Sequence, residues 1–209
     1  MKSQCLPFQQ IPHTSRLFLD YLAFSPDVQQ FYARSPRFLE WAADEVSRLQ
    51  YPSQRRQQVA NLLERQNRAW SASASALENI SKFRAGACAV VTGQQVGLFG
   101  GPMFSIYKAL SAVKLAEEAR KLGVNCVPIF WLATEDHDIA EVNQANLPIG
   151  DGHLEHLSSP THARPDAAVG SVAFGQEISA VVDRAAELLG QTEVTALLSE
   201  AFQSLEIDV

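Results

Sequence analysis

Two short stretches carry residue types that can do chemistry. Residues 93–102 read GQQVGLFGGP, and residues 134–138 read TEDHD. In the first, glycines at 93, 97, 100 and 101 let backbone amides approach a ligand closely. Pro102 suits the first position of a helix, whose unpaired N–H groups favour an anion. The spacing G-x-x-x-G-x-x-G-G fits neither the dinucleotide fingerprint nor the P-loop. The glycines alone therefore leave two readings open, a ligand cradle or a tight strand-to-helix turn. Gln94 and Gln95 add two amides, each both donor and acceptor, that can read a substrate or prop the loop. Tyr107 and Lys108 follow within two turns. Helical side chains lean toward the N-terminus, so Lys108 can reach an anion there or lie in solvent.

The second stretch sets Glu135, Asp136, His137 and Asp138 side by side. Acids this close repel one another unless something neutral or positive joins them. They can hold an amine or sugar hydroxyls. His137, with a pKa near neutrality, can act as general acid or base. Some of these residues can hold Mg²⁺ that accompanies a nucleotide. Consecutive side chains point apart, so no metal cage is assigned to the run alone. The plainer reading is a solvated loop ending in Asp138 as a helix cap, with Glu141 at capping-box spacing.

Both stretches require a strand to end where they begin. Residues 88–92 are a short apolar run closed by glycine, as in a parallel strand buried on both faces. Residues 103–122 have helical spacing, with Ile106, Leu110, Val113, Leu115, Ala119 and Leu122 expected on the inner face and Lys114, Glu117, Glu118, Arg120 and Lys121 on the outer. Gly123 is a natural stop. Residues 126–133 give a second buried strand. The result is a βαβ unit with an expected right-handed crossover. Ligands of open α/β sheets bind beyond the carboxyl ends of the strands, where both stretches lie.

Before this unit the chain reads as helical. Ser15 is a candidate cap for a helix through Leu17, Phe18, Tyr21 and Leu22. Phe38, Leu39, Ala42 and Val46 mark one helix, residues 53–69 a polar second, and a third ends near Phe83. Arg55, Arg56, Arg65 and Arg68 form a basic patch or, with the glutamines beside them, a solvated face. After Asp138, residues 139–147 read as a short helix or irregular segment. Residues 153–157 and 170–174 are candidate antiparallel strands, and 178–189 and 193–205 candidate helices.

The 209 residues carry a net charge of −6, with no basic stripe for nucleic acid. No apolar run approaches the ~18 residues of a membrane span, and no leader is apparent. Cys5, Cys88 and Cys126 are odd in number and lack metal or disulfide spacing, so reduced thiols in the cytoplasm are expected.

The stretch TGQQVGLFGGPMFSIYKALSAVKLA followed by VPIFWLATEDHDIAEVN resembles the BshC family, the cysteine-adding enzymes of bacillithiol synthesis, as does IPHTSRLFLDYL near the start. The resemblance implies an α/β fold. An N-terminal helical segment (1–86) leads into a Rossmann-like parallel βαβ core (87–150), half of one similar to class I aminoacyl-tRNA synthetases. Residues 151–209 begin an inserted α+β module. It implies a ligase joining cysteine to glucosaminyl-malate with ATP, with Mg²⁺ as an option and a homodimer formed through a coiled coil that this chain lacks. The family's loops fall on Gln94, Gln95, Gly97, Gly101 and Pro102, with Lys108 on the helix, and on Glu135, Asp136, His137 and Asp138; the loop residues other than His137, together with Tyr107, which follows on the helix, are taken as substrate-binding. His137 is assigned as proton acceptor and Lys108 as the catalytic cation. This chain is much shorter than the family's proteins, so a truncated form with an open sheet edge is expected. A binding module without catalysis, or an adenylating nucleotidyltransferase, is the alternative.

Overall fold

The computed structural model describes residues 5–164 and 166–190. The helix read over 193–205 lies outside them. The chain is α/β. Helices α1 (Arg16–Ala23), α2 (Pro26–Gln29), α3 (Phe38–Arg48), α4 (Ser53–Ala69) and α5 (Ala74–Arg84) precede β1 (Cys88–Gln94). Then come α6 (Met103–Lys121), β2 (Cys126–Leu132), α7 (Ile139–Val142), β3 (Gln144–Ile149), β4 (His153–Ser158) and α8 (Glu177–Leu189). Ser15 caps α1 by accepting the Phe18 N–H at 3.2 Å. β1 and β2 run parallel: the Cys88 N–H donates to the Asn125 carbonyl at one end and the Ala133 N–H to the Gln94 carbonyl at the other.

The chain forms two compact units, one up to Val90 together with Val113–Pro128, the other Val91–Ala112 together with the chain from Ile129 on. The boundary passes through β1, α6 and β2, whereas the sequence reading divided the chain between elements, at 86/87 and 150/151.

In the first unit α4 and α5 pack together, and Ala60, Ile80, Phe83, Ala87 and Val127 are buried between them and the strands. Ala116, Ala119, Val124 and Cys126 form a second cluster with Phe38, Leu39 and Val46 against it. Arg56 does not lie on a solvated face. It donates to the carbonyls of Phe83 (3.0 Å), in the last turn of α5, and Ala87 (2.8 Å), just beyond its end, and sits over the rings of Tyr51 and Phe83. A guanidinium here answers both the exposed carbonyls of a helix C-terminus and the aromatic faces beside it. Cys88 and Cys126 are free thiols inside the strands, and burial pushes the Cys126 thiol upward.

The inner face of α6 differs from expectation. Ser105, Ala112, Ala116 and Ala119 are buried, whereas Ile106, Leu110 and Leu122 are each more than half exposed. Small residues allow a helix to approach its neighbours closely, so the alanine stripe wins the inner position. The larger residues, which dominate a sequence-based reading, are left outside.

In the second unit β4 pairs antiparallel with β3, from Gln144↔Ser158 to Ile149↔His153, across a tight turn at Gly150–Gly152. The candidate partner strand at 170–174 is not formed. Val169–Ser171 makes a 3₁₀ turn, and only Thr161↔Phe174 bridges. Two backbone bonds account for this: the Val169 N–H donates to Asp136 O at 2.6 Å and the Gly170 N–H to Thr134 O at 2.9 Å. The segment therefore spends its amides on the acidic loop and not on a ladder. α8 packs on the hairpin, with Arg184 paired to Glu155 at 3.2 Å.

Candidate functional site

Every residue of the two chemistry-bearing stretches, with Tyr107 and Lys108, belongs to the second unit. β1 ends at Gln94 and β2 at Leu132, on the same side of a parallel pair. Their continuations meet. The Gln95 amide nitrogen donates to Asp136 Oδ2 at 2.8 Å and to Glu141 Oε2 at 3.1 Å. Gln94 Nε2 donates to Gln95 Oε1 at 2.8 Å, and Lys108 Nζ donates to Gln94 Oε1 at 2.8 Å and to the Gly93 carbonyl at 3.2 Å.

The bonds form a relay with one direction. An ammonium only donates and a carboxylate only accepts. Lys108 therefore fixes the oxygen of Gln94 toward itself, that amide turns its nitrogen to Gln95, and Gln95 turns its nitrogen to the acids. Reversing either amide would set donor against donor or acceptor against acceptor. The chain thus connects a cation on α6 to one anion on the loop after β2 and one on α7 through two neutral groups. It answers the repulsion that the acidic run raises by itself. Gln95's amide and then the His137 N–H, which donates to Asp136 Oδ1 at 2.7 Å, hold the Asp136 carboxyl below its ordinary value.

The other acids have separate duties. Asp138 caps α7 by accepting the Glu141 N–H at 3.2 Å. Glu135 accepts from the indole of Trp131 at 3.2 Å. The His137 ring is exposed and makes no hydrogen bond among the described residues. Lys108 also lies over the Phe104 ring, 5.1 Å from its centre. Its ammonium is thus engaged with Gly93, Gln94 and, in the first turn of α6, the Phe104 ring. Tyr107 and Pro102 are exposed. Among the described residues no group of His, Cys, Asp and Glu side chains converges as a metal site.

Two glycines are needed for close approach and a third for its backbone angle. A Cβ on Gly93 would stand 2.6 Å from the Trp131 carbonyl oxygen. One on Gly97 would stand 2.9 Å from Gly101 Cα, so the turn folds against itself. Gly101 also has φ 76°, a left-handed value that favours glycine. The turn reading and the cradle reading of the glycines are thus both compatible with the same backbone.

Glu141 is the functional candidate that sequence reasoning missed. Its position three residues after Asp138 suggested the return arm of a capping box. Its N–H does join the cap, but its carboxylate reaches the other loop. Gln95 offers two N–H donors to be satisfied, and this was the available signal.

The sequence matches the family described as "Bacillithiol biosynthesis BshC, N-terminal Rossmann-like domain" over residues 1–207. A Koribacter versatilis protein named as a candidate cysteine ligase, BshC, is 39% identical over 203 residues, covering 97% of this chain and 38% of that protein. Proteins of the same name from Geobacillus thermodenitrificans (35%, covering 88% and 34%) and Solibacter usitatus (36%, covering 92% and 39%) are similar in the same way. The chain spans under two fifths of the length of these relatives. With the family's pattern matched over residues 1–207 and relatives alike over nearly the whole chain, this chain belongs to the BshC family, in its N-terminal Rossmann-like domain.

Proposed function

We propose that this chain is the substrate-binding part of an ATP-dependent carbon–nitrogen ligase that adds cysteine to glucosaminyl-malate, giving bacillithiol in the cytoplasm of its cell, within a homodimeric whole protein. The observation that carries the reading is the Gln95–Asp136 bond, which brings the two loops at the strand ends into one site. The relatives' names, which specify a cysteine ligase, support it.

Amide formation needs an activated carboxyl and a neutral attacking amine. ATP supplies the activation by converting a carboxylate into an acyl group with a good leaving group. The first N–H groups of α6 and the glycine turn have the donor chemistry for a phosphate or carboxylate oxygen. The acidic loop has the chemistry for an ammonium. Glu135, Asp136 and Asp138 hold the substrate amine near the ring of His137. The ring takes a proton from the held ammonium and frees the lone pair; the neutral amine then bonds to the acyl carbon, the leaving group departs with its electron pair, and the second proton leaves to water. Lys108 sets the amides of Gln94 and Gln95 in the orientation that keeps the acidic loop in place. Mg²⁺ would arrive with the nucleotide, held mainly by phosphate oxygens and water.

The test joins this chain to the remainder of the Koribacter versatilis relative and supplies cysteine, glucosaminyl-malate and ATP. Bacillithiol is then sought by mass spectrometry. The product should form, and should be lost in His137→Ala and Gln94→Ala with folding retained. Undiminished product in both variants rules out these roles. Pyrophosphate release without any cysteine transfer would instead identify an adenylating enzyme.

A further inference from the structure

Among the described residues two buried side-chain oxygens have no hydrogen-bond partner, Ser25 Oγ and Ser105 Oγ. Ser25 precedes the four-residue helix α2 and has no cradle beside it. Ser105 is different. It stands in the first turn of the nineteen-residue α6 and is only 7% exposed. A serine side chain there leans back toward the helix N-terminus. Its Oγ lies 3.5 Å from the point where a Cβ on Gly101 would stand, nearer than any other atom outside the adjoining residues. The hydroxyl therefore faces the turn of residues 97–101, where Gly97 and Gly101 touch backbone to backbone.

A hydroxyl buried without a partner bears its desolvation with no return. Ser105's own N–H donates to the Pro102 carbonyl at 2.8 Å, and the N–H groups of Met103 and Phe104 come before any intrahelical acceptor. Donors of both kinds thus converge on a wall made of glycine backbone, at the end of a helix whose dipole favours negative charge. Gly100 is exposed, has φ 87°, and has nothing within 4 Å of where its Cβ would be. The Gly101 N–H donates to the Leu98 carbonyl at 3.1 Å, so a ligand reaching the hydroxyl exchanges that bond for one to itself.

We propose that Ser105 is a binding residue. Its hydroxyl, the first N–H groups of α6 and the turn of residues 97–101 together take one oxyanion of a small-molecule substrate, a carboxylate or a phosphoryl group. That the anion belongs to a substrate rests on the ligase reading. Lys108, engaged with Gln94 and Gly93, is not the residue that recognises it.

Calorimetric titration of the purified 209-residue chain with inorganic phosphate, pyrophosphate and malate tests this. Saturable binding of at least one is expected. Ser105→Ala should weaken it about tenfold or more, the loss of one hydrogen bond to a charged group. The variant should keep its circular dichroism spectrum and melt no lower than the parent, since the orphan hydroxyl is gone. Binding of phosphate or pyrophosphate alone marks a phosphoryl subsite, and binding of malate alone a carboxylate subsite. No saturable binding of any of the three, or equal affinity in Ser105→Ala, overturns the proposal. A Ser105-dependent anion site in a protein that makes no bacillithiol would leave it standing and remove the ligase reading. Bacillithiol synthesis with an unchanged Ser105→Ala affinity would do the reverse.

Discussion

The two units share three elements yet are ordered by different forces. In the first, Ile80, Phe83 and Val127 form a covered apolar core, although Leu17, Phe31, Leu49 and Trp70 stay more than half exposed. In the second, Val91, Met103, Phe104, Ile106, Tyr107, Leu110 and Trp131 are each at least half exposed. What order that half has around the strand ends comes from polar bonds running from Lys108 to Asp136 and Glu141. What changes at the boundary is that α3, α4 and α5 lie over one half, and nothing comparable among the described residues lies over α6's outer face in the other. Functional loops belong with the less buried half, because a site must exchange water for ligand.

Deleting a large side chain in each half gives the sharpest contrast. Phe83→Ala removes a buried ring that packs under α4 and beneath the Arg56 guanidinium. It should cost about 3–5 kcal/mol in urea unfolding. Phe104→Ala, half exposed, should cost less than about 1 kcal/mol. Equal losses would mean that the second unit is packed as tightly as the first.

Next comes Gly93→Ala. The added methyl would meet the Trp131 carbonyl and Cβ inside the strand pair, with backbone on one side and no flexible group to yield. A destabilisation of about 2–3 kcal/mol is expected. Hydrogen exchange at the Ala133 amide, which donates to Gln94 O, should accelerate more than at Cys88, which is bonded in the first unit. Uniform acceleration would show that the strands do not divide as described.

A smaller effect is expected from the bare face of α6. Ile106→Gln with Leu110→Gln should leave stability within about 0.5 kcal/mol, while fluorescence of a bound apolar dye falls. A large loss of stability would show that these residues are covered in solution.

The sequence makes some of this legible. The strands at 88 and 126 are visible because continuous apolar runs end in glycine or in a charged loop, and α6 because Pro102 and Gly123 bracket it. The inner face of α6 is not visible, since alanines and larger residues both recur at helical spacing, and only the closeness of the neighbouring elements chooses between them. β3 is hidden by Pro148, although residues 144–149 alternate and the glycines at 150 and 152 announce a hairpin turn. At the site, the types of Gln94, Gln95 and Asp136 are informative, but their linkage is a fact of tertiary structure. Ser105 looks like an ordinary helix residue until its burial is known.

The smallest effect separates the two ways in which this chain lowers a carboxyl's pKa. In the first unit Glu64 is lowered mainly by hydrogen bonds from Arg68 and Arg84; in the second, Asp136 is lowered first by the Gln95 amide and next by the His137 N–H. A carboxylate lowered on folding adds stability above its unfolded value and loses it as pH falls through the lower folded value. For Asp136 the loss begins near 3.8 and continues below it. In Gln95→Leu the main donor is gone, so the Asp136 carboxyl resonance should titrate closer to 3.8, and stability should fall less steeply in that acid range than in the parent. Salt divides the two cases further. Added salt screens the exposed charge pairs of Glu64 but barely touches a bond from a neutral amide, so 1 M sodium chloride should raise the Glu64 midpoint and leave that of Asp136 nearly in place. If Asp136 titrates identically in Gln95→Leu, the amide does not bond it in solution, and the two loops are not joined through Gln95.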